Sequence, residues 1–313
     1  MTHRPGDERV RTVFLGSGSF GASALRRLAA HPGIEIVGIV TAAPRPVGRR
    51  HVLTPTPIGA LAHELGFGPV LAPARLRDPE SIAAILALSP GLAVLADYGQ
   101  IVPPALLDLP HGALNLHPSA LPRWRGAAPI PAAILAGDRG TGVTLMRMDA
   151  GLDTGAVVAR VDVQLADDER APELELRLAE IAGELLDRCV GPWLRGELLA
   201  EPQATDGVEL TRPLHREDGR LDPSRGAAAL ERQVRAYLPW PGTFLELGGE
   251  RLVVTAASVA PSVAGDKPGT LVRHDSLPAL ATSDGRLVLE QVTQQGKRPM
   301  SGEDWLRGRR ELG

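Results

Sequence analysis

The sequence predicts a parallel, doubly wound α/β unit followed by a small antiparallel β-barrel, of which the five-stranded nucleic-acid-binding type is one form. Three observations carry this prediction. RTVFLG (11–16), SALRRLAA (23–30) and IEIVGIVT (34–41) open the chain as strand, helix, strand, the start of a parallel sheet. Apolar runs of strand length then alternate with helical stretches as far as residue 165. The last hundred residues change to short alternating runs broken by glycine turns, the pattern of a small barrel. A chain of 313 residues has room for two such units, each with its own core.

Taken in order, GSGSFG (16–21) follows the first strand and formally matches G-x-G-x-x-G. A dinucleotide site also needs an acid at the end of the second strand, to hold a ribose hydroxyl. That strand ends Val40-Thr41-Ala42-Ala43, so the glycines are read as a tight turn whose amides can still meet a polar ligand. Residues 41–58 (TAAPRPVGRRHVLTPTPI) form a long loop punctuated by proline, carrying Arg45, Arg49, Arg50 and His51. GFGPVLAP and PGLAVLADYG supply further strands with the helix SIAAILALS between them. Residues 112–117 form the next strand, and 141–165 two strands around a turn. From Pro172 to Cys189, apolar residues recur every three or four positions, giving an amphipathic helix that Gly191-Pro192 is expected to stop. A polar stretch, 196–207, reads as a linker between a catalytic domain over 1–195 and a C-terminal domain over 208–313. In the latter, GTFLELGGERLVVTAASV (242–259) is a hairpin around Gly-Gly.

Composition narrows the function. Hydrophobic content of 43% and charged content of 23% are those of a globular protein, and no apolar run is long enough to span a bilayer. The polar start MTHRPGDERV lacks the apolar centre of a signal peptide, so a cytoplasmic location is expected. One cysteine, Cys189, excludes an internal disulfide, and the scattered histidines lack metal-ligand spacing, so no metal is expected. A net charge of −3 means that any acidic partner must be met by local patches such as the basic loop.

Chemistry concentrates in NLHPSALPRWRGAAPI (115–130). Asn115 and His117 stand two apart at the end of a strand, so their side chains share a face at the carboxyl edge where open α/β sheets bind ligands. An amide that can donate to an oxyanion, beside an imidazole that can move protons, is equipment for acyl transfer. DAGLDTG (149–155) places Asp153 in a glycine-flanked turn, and a carboxylate near His117 would orient the ring and raise its pKa. A Ser119–His117–Asp153 hydrolase is weak because Ser119 lacks a nucleophile elbow.

NLHPSALPRWRGAAPI with TGVTLMRMDAGLDTG resembles the formyltransferases that use 10-formyltetrahydrofolate, and among them the branch acting on methionyl-tRNA. ADYGQIVP, the basic loop with its GRR, ALERQVRAYLPWPGTFLEL and GKRPMSGEDWLRGRREL extend the likeness over nearly the whole chain. The resemblance implies a Rossmann-like catalytic domain, an oligonucleotide-binding (OB)-type C-terminal domain that binds tRNA, and transfer of the folate-borne formyl group to the amino group of initiator methionyl-tRNA. It assigns catalysis to Asn115, His117 and Asp153. Folate contact is assigned to Ser119, Ala120, Leu121 and Pro122, with Gln100, Ile101 and Val102. Arg45, Arg49 and Arg50 are assigned to the tRNA, and the chain is expected to work as a monomer without metal or membrane. Departures stand at Gly16–Phe20, which reads GSGSF where the family shows Gly-Thr-Pro, at Asp97 and Ala120, and at Pro131 where glutamine is frequent. Rival readings are a formyltransferase acting on an amino-sugar nucleotide, a tRNA-binding module with a degenerate site, and, last, a nicotinamide dehydrogenase.

Overall fold

In chain order the first half contains β1 (Val10–Gly16), α1 (Ala22–Ala30), β2 (Ile34–Val40), β3 (Arg45–Val47), β4 (Val52–Thr54), α2 (Pro57–Glu64), β5 (Val70–Leu71), α3 (Pro79–Leu86), β6 (Leu92–Ala96), α4 (Pro104–Leu107), β7 (Ala113–His117) and β8 (Arg125–Gly126). It continues with α5 (Pro129–Ala136), β9 (Gly140–Arg147), β10 (Ala156–Gln164), α6 (Ala171–Leu194) and β11 (Leu210–Thr211). The structure, a computed structural model, describes residues 9–48 and 51–309. It divides into two units: residues up to Pro129 with Gly140–Gln164 and Glu175–Thr211, and Ile130–Arg139 with Leu165–Leu174 and everything from Arg212.

The first unit is organised by a seven-stranded sheet in the order β10-β9-β7-β6-β1-β2-β5. From β5 to β7 neighbouring strands are parallel, while β9 and β10 run antiparallel at the other edge. Central strands are continuous apolar runs because helices cover both faces of a parallel sheet. Val13, Phe14 and Leu15 of β1 and all of β6 are accordingly buried. Winding reverses between β1 and β6, so the loops leaving those strands open a crevice at the carboxyl edge, the usual ligand site of this architecture.

Two local readings change. The proline-punctuated loop contains a hairpin, with β3 pairing antiparallel to β4. Its base is closed by the Thr41 and Thr56 hydroxyls at 2.5 Å, and Thr56 also caps α2 by accepting from the Gly59 N–H at 3.0 Å. The long helix does not stop at Gly191-Pro192 but runs through to Leu194. Proline removes only one hydrogen bond so near the helix end. The last turn is pinned by Trp193, whose indole N–H donates to the His111 carbonyl at 3.0 Å.

The second unit carries α7 (Ala227–Ala236), β12 (Thr243–Leu247), β13 (Glu250–Ala260), β14 (Leu271–His274), β15 (Leu277–Ala281), β16 (Arg286–Gln294), β17 (Met300–Ser301) and α8 (Gly302–Arg307). Its antiparallel sheet has the order β12-β13-β16-β15-β14, with β17 added beside β16. Register shifts between Val254 and Ala257 of β13 curl it toward the OB-type half-barrel expected. Gly248 and Gly249 take φ of +57° and +84°, the left-handed pair that a two-residue hairpin turn requires. Leu230 and Val234 of α7 close the core against Leu252, Val254, Leu287, Leu289 and Trp305. Arg286 is tolerated inside because Asp266 takes its guanidinium through two 2.7 Å bonds, which hold that carboxyl down at about 2.

Among the described residues no helix is long and apolar enough to cross a membrane. Leu289 is fully buried in the second core, so Leu289→Ala is expected to cost about 2–5 kcal/mol. Chemical denaturation followed by circular dichroism checks it.

Candidate active site

β7 delivers Asn115 and His117 to one face by strand alternation, Asn115 half-buried and His117 only 5% exposed. Opposite His117 on β9 lies Thr144, whose hydroxyl shapes the exit from β7. It donates to the Ser119 carbonyl at 2.7 Å and accepts the Leu121 N–H at 3.2 Å. The Ser119 hydroxyl donates to the Arg123 carbonyl at 2.6 Å. A short, internally bonded loop therefore returns the chain to His117.

At that return Trp124 and Gly126 both adopt left-handed backbone conformations, φ +61° and +104°. A side chain at Gly126 is forbidden twice over, by this φ and by the Thr211 carbonyl oxygen, 2.3 Å from where a Cβ would lie. The turn presents the Trp124 carbonyl to His117 Nε2 at 2.8 Å and the Gly126 N–H to Asp153 Oδ2 at 2.7 Å. Asp153 is itself left-handed, φ +51°, in the connection between β9 and β10. Its Oδ2 stands 3.7 Å from His117 Nδ1, beyond hydrogen-bond range but close enough for its charge to be felt.

A carbonyl can only accept, so Nε2 carries the proton of neutral His117 and Nδ1 presents its lone pair on the side of Asp153. Burial pushes the His117 pKa below its ordinary value, and the charge of Asp153 and the bond to Trp124 oppose that push without reversing it. The ring is thus a neutral base, with a carboxylate placed to stabilise the imidazolium it becomes on accepting a proton.

The remaining expected residues fall in three groups. Ala120 and Pro122 are partly open, whereas Ser119 and Leu121 are buried and meet other parts of the chain. On the loop after β6, Ile101 is 76% exposed, Val102 belongs to the core, and the Gln100 amide accepts from the Leu76 N–H and donates to the Pro73 carbonyl. Arg45 is exposed on β3, and Arg49 and Arg50 lie outside the described residues. Among the described residues no group of three or more histidine, cysteine or acidic side chains is placed to hold a metal ion.

Sequence reasoning missed the Trp124 carbonyl and the Gly126 N–H, main-chain groups that no side-chain motif announces. Beside Asp153, Leu152 stands 61% exposed, an apolar residue in an otherwise polar turn. The glycine loop and Asp97 explain each other. A Cβ at Gly18 would lie 1.6 Å from Asp97 Oδ2, so the carboxyl fills the room that this glycine leaves. Loss of water there, and then the charge of Glu175, raise the Asp97 pKa.

Residues 10–190 match the formyl transferase family model, and residues 213–310 match the model of the formyl transferase C-terminal domain. The chain belongs to the formyltransferase family. Its relatives include the methionyl-tRNA formyltransferase of Chloroflexus aggregans, 41% identical over 96% of this chain and 97% of that protein. The methionyl-tRNA formyltransferase of Paramagnetospirillum magneticum is 42% identical over the same shares. Solved structures at lower identity share the fold. HypX from Aquifex aeolicus in complex with tetrahydrofolic acid matches with TM-score 0.63 and 19% identity, over 96% of this formyltransferase and 47% of the longer HypX chain. The N-formyltransferase from Helicobacter canadensis, in complex with folinic acid and dTDP-3-aminofucose, matches with TM-score 0.64 and 12% identity, over 91% of this chain and all of that one.

The geometry makes a direct spectroscopic prediction. Nitrogen-15 NMR of the imidazole should show the Nε2–H tautomer of His117 at neutral pH, titrating below ordinary histidine. In Asp153→Asn the pKa should fall further, because the charge that favours the imidazolium is gone. Because the folded-state pKa is depressed, the neutral ring's contribution to stability is complete above the unfolded value, about 6.5. It is lost as pH falls from there through the folded pKa. An imidazole protonated at neutral pH would refute the arrangement.

Proposed function

We propose that the chain transfers the formyl group of 10-formyltetrahydrofolate to the free α-amino group of initiator methionyl-tRNA, giving N-formylmethionyl-tRNA and tetrahydrofolate, in the cytoplasm and as a monomer. The observation that carries the chemistry is the buried His117 ring, fixed between the Trp124 carbonyl and Asp153 on the strand that also presents Asn115. The acceptor is supported by relatives that are 41% and 42% identical over nearly their full length and by the C-terminal match at 213–310.

A folate donor suits the residues present. Ile101 and Leu152 hold apolar side chains out to solvent on the loops after β6 and β9, surface that an aromatic ring system would cover. Ala120 and Pro122 add partly open apolar surface after β7. The donor supplies a formyl carbon activated by its electron-poor nitrogen.

His117 Nδ1 takes a proton from the amine as its nitrogen bonds to the formyl carbon, and returns it to the folate nitrogen as the carbon–nitrogen bond to folate breaks. Asp153 stabilises the imidazolium between these two transfers. Asn115 donates its amide N–H to the oxyanion formed on the formyl oxygen, a contribution of order 10²–10³ in rate for one donor. Arg45, Arg49 and Arg50 supply the positive charge that meets the tRNA phosphates.

With both substrates supplied, His117→Ala is expected to lower turnover by ~10²–10⁴ while leaving tRNA affinity nearly unchanged. Formyl incorporation into methionyl-tRNA and into amino-sugar nucleotides, assayed side by side, tests the acceptor. Incorporation into the sugar alone would overturn it. Arg49→Ala should weaken the use of tRNA and reduce the salt slope by about 1. An unchanged slope and rate would remove the loop from the reaction.

A further inference from the structure

Residues 201–211, read from sequence as mostly linker, form a strap across the two loops that build the catalytic pair. It is tied at both ends to the first unit. At one end Val157 and Glu201 exchange main-chain hydrogen bonds of 2.7 and 2.8 Å. At the other, β11 pairs with β8, the Arg125 N–H donates to the Glu209 carbonyl at 2.9 Å, and the Thr211 hydroxyl donates to the Arg125 carbonyl at 3.0 Å.

Between these ties sits Gln203, and its half-buried amide has a partner at every position. Its Oε1 accepts from Arg125 Nε at 3.0 Å and Arg125 Nη2 at 2.8 Å. Its Nε2 donates to the carbonyls of Asp153 and Gly155, both at 2.8 Å. The reversed amide would set N–H against guanidinium and oxygen against carbonyl, so the network fixes one orientation. Each loop held in this way contributes one of the two groups that face His117. The 123–126 turn brings the Trp124 carbonyl and the 149–155 turn brings the Asp153 carboxylate.

We propose that Gln203 is the positioning residue of the catalytic pair, clamping the Asp153 turn to the Trp124–Gly126 turn so that His117 keeps both partners at once. The inference rests on the functional reading above for its kinetic consequence but not for its structural one. Gln203 touches no reacting atom. It acts by keeping Asp153, in a left-handed conformation of its own, at a fixed distance from Nδ1. Displacements of about 1 Å in such arrangements cost up to ~10²-fold in rate.

Two variants of the full chain test it. Gln203→Leu keeps the bulk and removes all four hydrogen bonds. Gln203→Glu keeps an acceptor for Arg125, now as an ion pair, and loses both donations to the carbonyls. Both are expected to lower kcat about 10- to 100-fold, with KM for 10-formyltetrahydrofolate and methionyl-tRNA within about two-fold. The melting temperature of each variant is measured beside its rate, and rates are compared where the variant is fully folded, which separates a loss of rate from a loss of fold. In both variants the imidazole nitrogen-15 signals of His117, read without substrate, should move. A Glu variant with wild-type kcat, or a loss confined to KM, would overturn the role. So would unmoved His117 signals, even if the wild-type protein formylated another amine, and that separates failure of the clamp from failure of the functional reading. Should the Leu variant not fold, the Glu variant decides alone.

Discussion

The proposed catalytic arrangement hangs on one hydrogen bond, from His117 Nε2 to the Trp124 carbonyl. Because a carbonyl oxygen offers lone pairs and nothing else, the bond chooses the tautomer and hence which nitrogen is basic. Asp153 would stabilise an imidazolium whichever nitrogen gained the proton, but only with Nε2 already engaged is Nδ1, the nearer nitrogen, free to gain it. The bond in turn depends on a tryptophan held at φ +61°, a conformation that bulky residues avoid. Neighbouring contacts sustain it. Arg123 lies over the Trp124 ring at 4.2 Å, and β8 is pinned to β11 immediately afterwards.

A second dependence runs through the crevice where the sheet reverses its winding. Two departures from the family pattern, the Gly-Ser-Gly turn and Asp97, looked independent along the chain, yet they occupy one volume. Gly18 has no side chain and the Asp97 carboxyl stands where one would be. Nearby, Ser19 donates to Glu175, whose charge helps to raise the Asp97 carboxyl. The wall of the crevice is thus lined here by acidic side chains, with the Asp97 carboxyl in the room that Gly18 leaves.

Much of this was legible in the amino-acid order. The parallel core announced itself because strands covered on both faces must be apolar throughout, as Leu92–Ala96 is. The Gly248-Gly249 hairpin announced itself because its turn demands two left-handed residues. The side chains of Asn115, His117 and Asp153 were equally visible, two through strand alternation and one through its flanking glycines. What the sequence hid were the main-chain groups at the site, the Trp124 carbonyl and the Gly126 N–H, since each residue carries the same N–H and C=O. Length was misleading as well: Gly191-Pro192 looked like a helix stop, but a missing hydrogen bond in the last turn costs little against the packing around Trp193. The strap at 201–211 was invisible for a related reason, because polar composition describes a segment that pairs with strand edges as well as one that pairs with water.

That strap bears on how the chain could be recombined with its relatives. By composition, the natural crossover for exchanging C-terminal domains lies within 196–207, and a chimera joined there would inherit Glu209 and Thr211, and with a join before residue 203 also Gln203, from the wrong parent. The physical seam falls later, between Thr211 and Arg212. A graft made at that point carries over the complete support of the proposed formyl-transfer site, and one made a few residues earlier trades part of it away with the C-terminal unit.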